Sequence, residues 1–134
     1  MGRFVFSVVI LILFSQALSR GIDLAPYRYK NRLLVILAPN AADAGYRSQT
    51  AQAQQNAEGF RERDLIVLSE SEPDGELHRK FKLSGTSFRV LLIGKDGHVV
   101  VTESNPIKSE RLFALIDAMP MRQKEVRDAN RNGS

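Results

Sequence analysis

"LLVILAPNAADAGYRSQ", residues 33–49, decides the fold. Leu33 to Leu37 is an unbroken apolar run, β-branched in its middle, and such a run suits a strand covered on both faces. Pro39 and Asn40 end that strand and begin a turn. Asp43 follows where a helix cap belongs, with a carboxylate able to accept the N–H groups that a first helical turn leaves unpaired. Behind it, Tyr46, Thr50, Ala53, Ala57 and Phe60 fall at steps of four, three, four and three, one stripe along a helix. Arg47, Gln49, Gln52, Gln54 and Gln55 then face water or the margin of the stripe.

Further along, "DLIVL" (64–68) reads as a second buried strand, and "SESEPDGE" (69–76) as an acidic, turn-rich loop. A short amphipathic segment, "GELHRKF", sets Leu77 and Phe81 four residues apart. "LSGTS" is another turn. "FRVLLIG" and "HVVVT" are strands joined through "KDG", because Asp-Gly favours the positive φ that tight hairpins need. Ser109 is placed to cap "ERLFALIDAM", with Leu112, Leu115, Ile116 and Met119 on one face and Pro120 just past the end.

The first twenty residues, "MGRFVFSVVILILFSQALSR", have a different character. A positive Arg3, an apolar run from Phe4 to Phe14 and small residues at Ala17 and Ser19 form the layout of a secretory signal, with cleavage expected after Ser19. A membrane span needs ~20 apolar residues, so an anchor is not expected. This divides the chain into a signal peptide (1–19), a lead-in segment (20–32), one domain (33–121) and a basic, flexible tail (122–134). In the lead-in, Leu24, Tyr27 and Tyr29 are candidates to pack against the domain edge. The expected location is periplasmic or extracellular. The net charge of +4 owes much to the tail and forms no patterned patch, so nucleic acid is not an expected partner.

The order β-α-β-α-β-β-α, an α/β fold, is similar to a thioredoxin-like sandwich, a central mixed sheet flanked by helices. In enzymes of that type a Cys-x-x-Cys heads the first long helix. The corresponding places here are Ala41 and Ala44, and no proline stands near Thr86, Ser87 or Phe88, where those enzymes carry a cis-proline. The chain has no cysteine at all. That removes thiol peroxidase, disulfide exchange, thiolate–metal and cysteine-nucleophile chemistry together. "APYRYKNRLLVILAP", "RERDLIVL", "LLIGKDG" and "LFALIDAMPMRQKEVR" further resemble the P-DUDES family, peroxiredoxin-like domains of unknown function. That family occurs in small exported bacterial proteins and in animal sushi-repeat and matrix proteins. The resemblance implies fold and location and supplies no settled activity.

Candidate chemistry is sparse. His78 and His98 have no partner at ligand spacing and read as surface histidines. Glu70, Glu72, Asp74 and Glu76 lack the spacing of a calcium loop and read as a solvated turn. No metal or cofactor is expected. The head of the first helix offers a small-ligand or anion site from Asn40, Asp43, Arg47 and Thr86, in competition with plain capping by Asp43. Met119, Pro120, Met121 and Arg122 offer a partner-binding segment, since methionines adapt to partner grooves. The expectation is a non-redox binding or interaction module whose partner is another envelope or extracellular protein. The alternative is a non-thiol enzyme or small-anion-binding protein using the first helix N-terminus.

Overall fold

The computed structural model describes residues 22–133. The expected signal peptide lies outside the described residues. The elements are β1 (Arg32–Leu37), α1 (Ala44–Gln55), α2 (Ala57–Glu62), β2 (Leu65–Glu70), α3 (Glu76–Lys80), β3 (Arg89–Ile93), β4 (Val99–Glu103), α4 (Ser109–Asp117) and α5 (Pro120–Asn132). A 3-10 turn, Ala25–Tyr27, precedes them. No described helix is long and apolar enough to cross a membrane.

Strand order is β2-β1-β3-β4. β1 pairs parallel with β2, reached through the helical crossover, and antiparallel with β3, which pairs antiparallel with β4. Side chains alternate between the faces of a strand, so β1 feeds two cores. Leu34, Ile36 and Ala38 join Val90, Leu92, Phe60, Ile107, Leu112 and Ile116 on one side. Leu33, Val35 and Leu37 join Leu91, Ile93 and Leu77 on the other, with Leu24, Tyr27 and Phe81 packed against them. Every residue of β1 is buried, as the apolar run from Leu33 to Leu37 requires, and so is Arg32 at its start. The lead-in thus contributes Leu24 and Tyr27 to the second core, whereas Tyr29 stays exposed. The hairpin turns as expected, with Gly97 at φ 87°.

Four local expectations change. The first helix does not run unbroken to Phe60. It ends at Asn56, whose side chain donates to the Gln52 carbonyl and to Ser109 Oγ, drawing the backbone out of helical geometry before α2 restarts. Such local side-chain bonds compete with helix propagation. Gln49 is buried rather than marginal. Its amide answers both backbone groups of Ile107, donating to the carbonyl at 3.0 Å and accepting from the N–H at 2.7 Å. Ser109 is the first residue of α4, not its cap; Lys108 holds the cap position without a side-chain bond. Finally, residues 122–132, expected as a flexible tail, form most of α5. Pro120 follows α4 as expected, and it also starts α5, since its missing N–H costs nothing in a first turn.

Below α2, Phe60 and Phe113 meet edge to face at 5.7 Å, and the Arg63 guanidinium lies 4.1 Å from the Phe113 ring centre. Gly59 permits this approach, because a Cβ there would stand 2.6 Å from the Phe113 ring.

Candidate functional site

At the head of α1 the structure favours capping over ligand binding. Asp43 Oδ1 accepts the Tyr46 N–H at 2.9 Å, and Asn40 Oδ1 accepts the Ala42 N–H at 3.0 Å. An anion at this helix head would therefore meet the Asp43 carboxylate, which already holds the Tyr46 amide and repels a second negative charge. Arg47 and Thr86 are exposed, and the Thr86 hydroxyl pairs with Ser84 Oγ at 3.0 Å. Phe88, at the entry to β3, does reach the helix head, where a Cβ on Gly45 would lie 2.7 Å from its ring. Among the described residues no hydrogen bond or ion pair joins Asn40, Asp43, Arg47 and Thr86 to one another. Ala41 and Ala44, where the resemblance to thioredoxin-like enzymes puts the cysteine positions, present only methyl groups. With Asp43 acting as a cap, Asp43→Ala lowers stability by about 1 kcal/mol, read as a lower denaturant midpoint.

His78 is a correction. Expected at the surface, it is 1% exposed. Its Nδ1 lies 2.5 Å from Glu70 Oε1, and the same carboxylate accepts the N–H groups of Leu77 and His78 at 2.8 and 2.9 Å. Glu70 thus closes the start of α3 and orients the imidazole at once. The His78 Nε2 has no hydrogen-bond partner among the described residues. Sequence spacing hid this pair because the loop of residues 71–75 lies between the end of β2 and the start of α3 and folds back only in three dimensions. His98, by contrast, is exposed as expected, its Nδ1 lying 3.2 Å from Asp96 Oδ2. Asp96 has its carboxyl held below the usual range, chiefly by the backbone N–H of His98.

Charge gathers where α5 crosses the N-terminal end of β1. Arg32, fully buried, donates to both Glu125 oxygens at 3.1 and 2.9 Å and to the Arg63 carbonyl at 2.8 Å. Lys95 lies between Glu125 and Asp64, at 3.0 and 2.9 Å. Arg122 reaches Asp117 at 3.1 Å and Glu62 at 3.2 Å, while Arg63 forks onto Asp117. Burial pushes the Glu125 carboxyl up, but the hydrogen bonds from Arg32 and Lys95 outweigh it and leave the group below its ordinary value. The Asp117 carboxyl is likewise lowered, by the bond from Arg63 against burial and then by Arg122. Arg122, expected at a partner surface, is 7% exposed and spent on these internal bonds. Its single bonds to Asp117 Oδ1, to the Glu62 carboxylate and to the Glu62 carbonyl assign it to the fold, because charge-assisted bonds to two other helices tie α5 to α4 and α2.

The other three members of that segment do come together. Met119, Pro120 and Met121 line a cleft of about 130 Å³ with Val100 of β4 and with Lys95 and Asp96 of the hairpin. Met119 packs inward on the first core, whereas Val100 and Met121 are 45% and 40% exposed. β4 ends the sheet, so its outer backbone groups face no strand among the described residues. A register shift between Leu92 and Ile93 marks the point where Val100 falls out of simple pairing. Val100 was not legible as a site residue: "HVVVT" reads as a strand whichever valine is displaced.

Comparison with known proteins adds the family and the fold. The family described as a domain of unknown function (DUF4174) matches residues 23–125. The Sushi repeat-containing protein SRPX2 of Xenopus laevis is 25% identical over 131 residues, covering 85% of this chain and 29% of that protein. The chain therefore spans less than a third of the length of this curated relative. Among solved structures, the reduced 2-Cys peroxiredoxin of Plasmodium vivax superposes with a TM-score of 0.60 at 15% identity, covering 77% of this chain and 85% of that one. Thioredoxin peroxidase I of Plasmodium yoelii gives 0.59 at 16% identity, over 77% and 80%. At these identities the likeness concerns the fold, which is thioredoxin-like. With no cysteine in the sequence, thiol peroxidase chemistry has no sulfur to act through here.

Proposed function

We propose, from the premise that this chain belongs to the DUF4174 family of domains of unknown function, that it is an exported, non-redox binding module. Its partner on this reading is an envelope or extracellular protein that lays an extended, apolar segment along β4. The observation that carries the proposal is the cleft uniting Val100 with Met119, Pro120 and Met121 beside the open sheet edge. An unpaired edge supplies backbone donors and acceptors for an added strand, and adjacent apolar pockets select its side chains. Methionines suit the task because their flexible thioethers adapt to the surface presented. Export is supported by the signal-like first nineteen residues and by the sushi-repeat protein among its relatives. The same relative and the quoted motifs support placing the chain with the P-DUDES domains.

Site-specific photo-crosslinking in intact cells tests this. A crosslinker at Val100 and one at Met121 should capture the same protein, while one at Arg47 should not. Val100→Asp should abolish capture from Met121 and leave stability within ~0.5 kcal/mol, as is usual for exposed positions. Capture from Arg47 alone, or different products from 100 and 121, would exclude the β4 cleft as the docking surface.

A further inference from the structure

A second cavity, of about 210 Å³, opens between the lead-in segment, the end of α3 and the β3–β4 hairpin. Its floor is apolar: Leu33 and Ile93 come from the central strands and Phe81 from the end of α3. Two cations, Arg28 and Lys80, line it as exposed side chains. Neither side chain makes a hydrogen bond or ion pair with another described residue, whereas Arg32, Arg63 and Arg122 are each engaged by a carboxylate. The Arg28 guanidinium lies against the hairpin turn, about 3 Å from where a Cβ on Gly97 would stand. Asp23, the one carboxylate in the wall among the described residues, accepts the Ala25 N–H at 2.9 Å.

We infer that this cavity binds a short amphiphile carrying one anionic group, with its apolar body on the Leu33–Phe81–Ile93 floor and its charge between Arg28 and Lys80. The size sets the class. A water molecule occupies about 30 Å³ of liquid, so the space holds about seven waters or a chain of fewer than about a dozen non-hydrogen atoms. The lining sets the charge, since a largely apolar pocket with a few convergent polar groups fixes orientation through those groups. This site is independent of the β4 cleft, and the two proposals fail separately.

Hexanoate and 1-hexanol, matched in length and differing in charge, are the probes. With the full chain, hexanoate should shift the amide resonances of Gly94, Gly97 and Ile93 in a saturable way, and hexanol should bind at least about fivefold more weakly. Arg28→Ala and Lys80→Ala should each weaken hexanoate by about two- to fivefold, the range open to partly exposed ion pairs, and leave hexanol unchanged. Raising the salt concentration should narrow the difference between the two probes. Equal binding of both probes, binding indifferent to both substitutions, shifts confined to other residues, or no saturable shift with hexanoate would each overturn the inference.

Discussion

Glu125→Ala is expected to lower the free energy of unfolding by about 3 kcal/mol, because losing one partner of a buried ion pair strands the other. Here two cations lose it: Arg32, fully buried at the start of β1, and Lys95, 8% exposed in the hairpin. Lys95 keeps Asp64, but among the described residues Arg32 would retain only the Arg63 carbonyl, and its Nε has no partner there. Glu125 itself is about a quarter exposed, which holds the figure to the lower end of the range for buried pairs. Urea titration reads the loss as a lower midpoint at unchanged slope. Arg32→Met combined with Glu125→Leu should restore much of it, since an apolar pair of similar volume carries no charge to desolvate. An unchanged midpoint in Glu125→Ala would mean that α5 is not held by this network.

The same residue sets an acid dependence. The Glu125 carboxyl lies below its ordinary value of 4.5 in the folded chain, so its contribution is complete above that pH and is lost as pH falls from there through the folded value. Asp117, lowered from 3.8, adds a second loss beginning further down. Stability should therefore fall progressively below about pH 4.5, less steeply in Glu125→Ala than in the parent.

Glu70→Ala should cost a similar amount, about 3 kcal/mol, by a different route. Three donors meet that carboxylate: the N–H groups of Leu77 and His78 and the His78 ring. Each net bond is worth about 1 kcal/mol, and more where the donor is left buried without an acceptor. Glu70→Gln, which keeps an acceptor oxygen, should cost about half as much. His78→Leu in the Glu70→Ala background should recover part of the loss by removing the buried ring nitrogens. No recovery, with both single variants near the parent's midpoint, would show that α3 does not depend on this carboxylate. Gly75 belongs to the same arrangement, because any Cβ there would run into the Glu70 carboxyl group.

The strands were legible because their signals are local. "LLVIL" is apolar at every position, as a central strand must be, and Asp-Gly dictates the hairpin. The cap at Asp43 was legible for the same reason, since its partner is three residues away. What the sequence hid depends on partners far along the chain. Gln49 looks like a surface residue until Ile107, 58 positions later, offers both of its backbone groups. Arg122 looks available to a partner until Glu62 and Asp117 close on it. His78 looks solvated because "SEPDGELH" is hydrophilic, and composition carries no record of a loop turning Glu70 inward. Met119, Pro120 and Met121 were found as a segment, but the cleft they share with Val100 exists only once the hairpin is placed beside α5.

The bond from Arg32 to Glu125 spans 93 positions. While the polypeptide is being synthesised, the guanidinium at the head of the sheet waits without its counter-charge until nearly the whole domain has emerged. The helices and hairpin can form earlier from nearby contacts, but their closure onto one another is a late event. A ribosome stalled before residue 125 would hold a chain that lacks most of α5 and the latch it carries, open to proteases that the released protein resists.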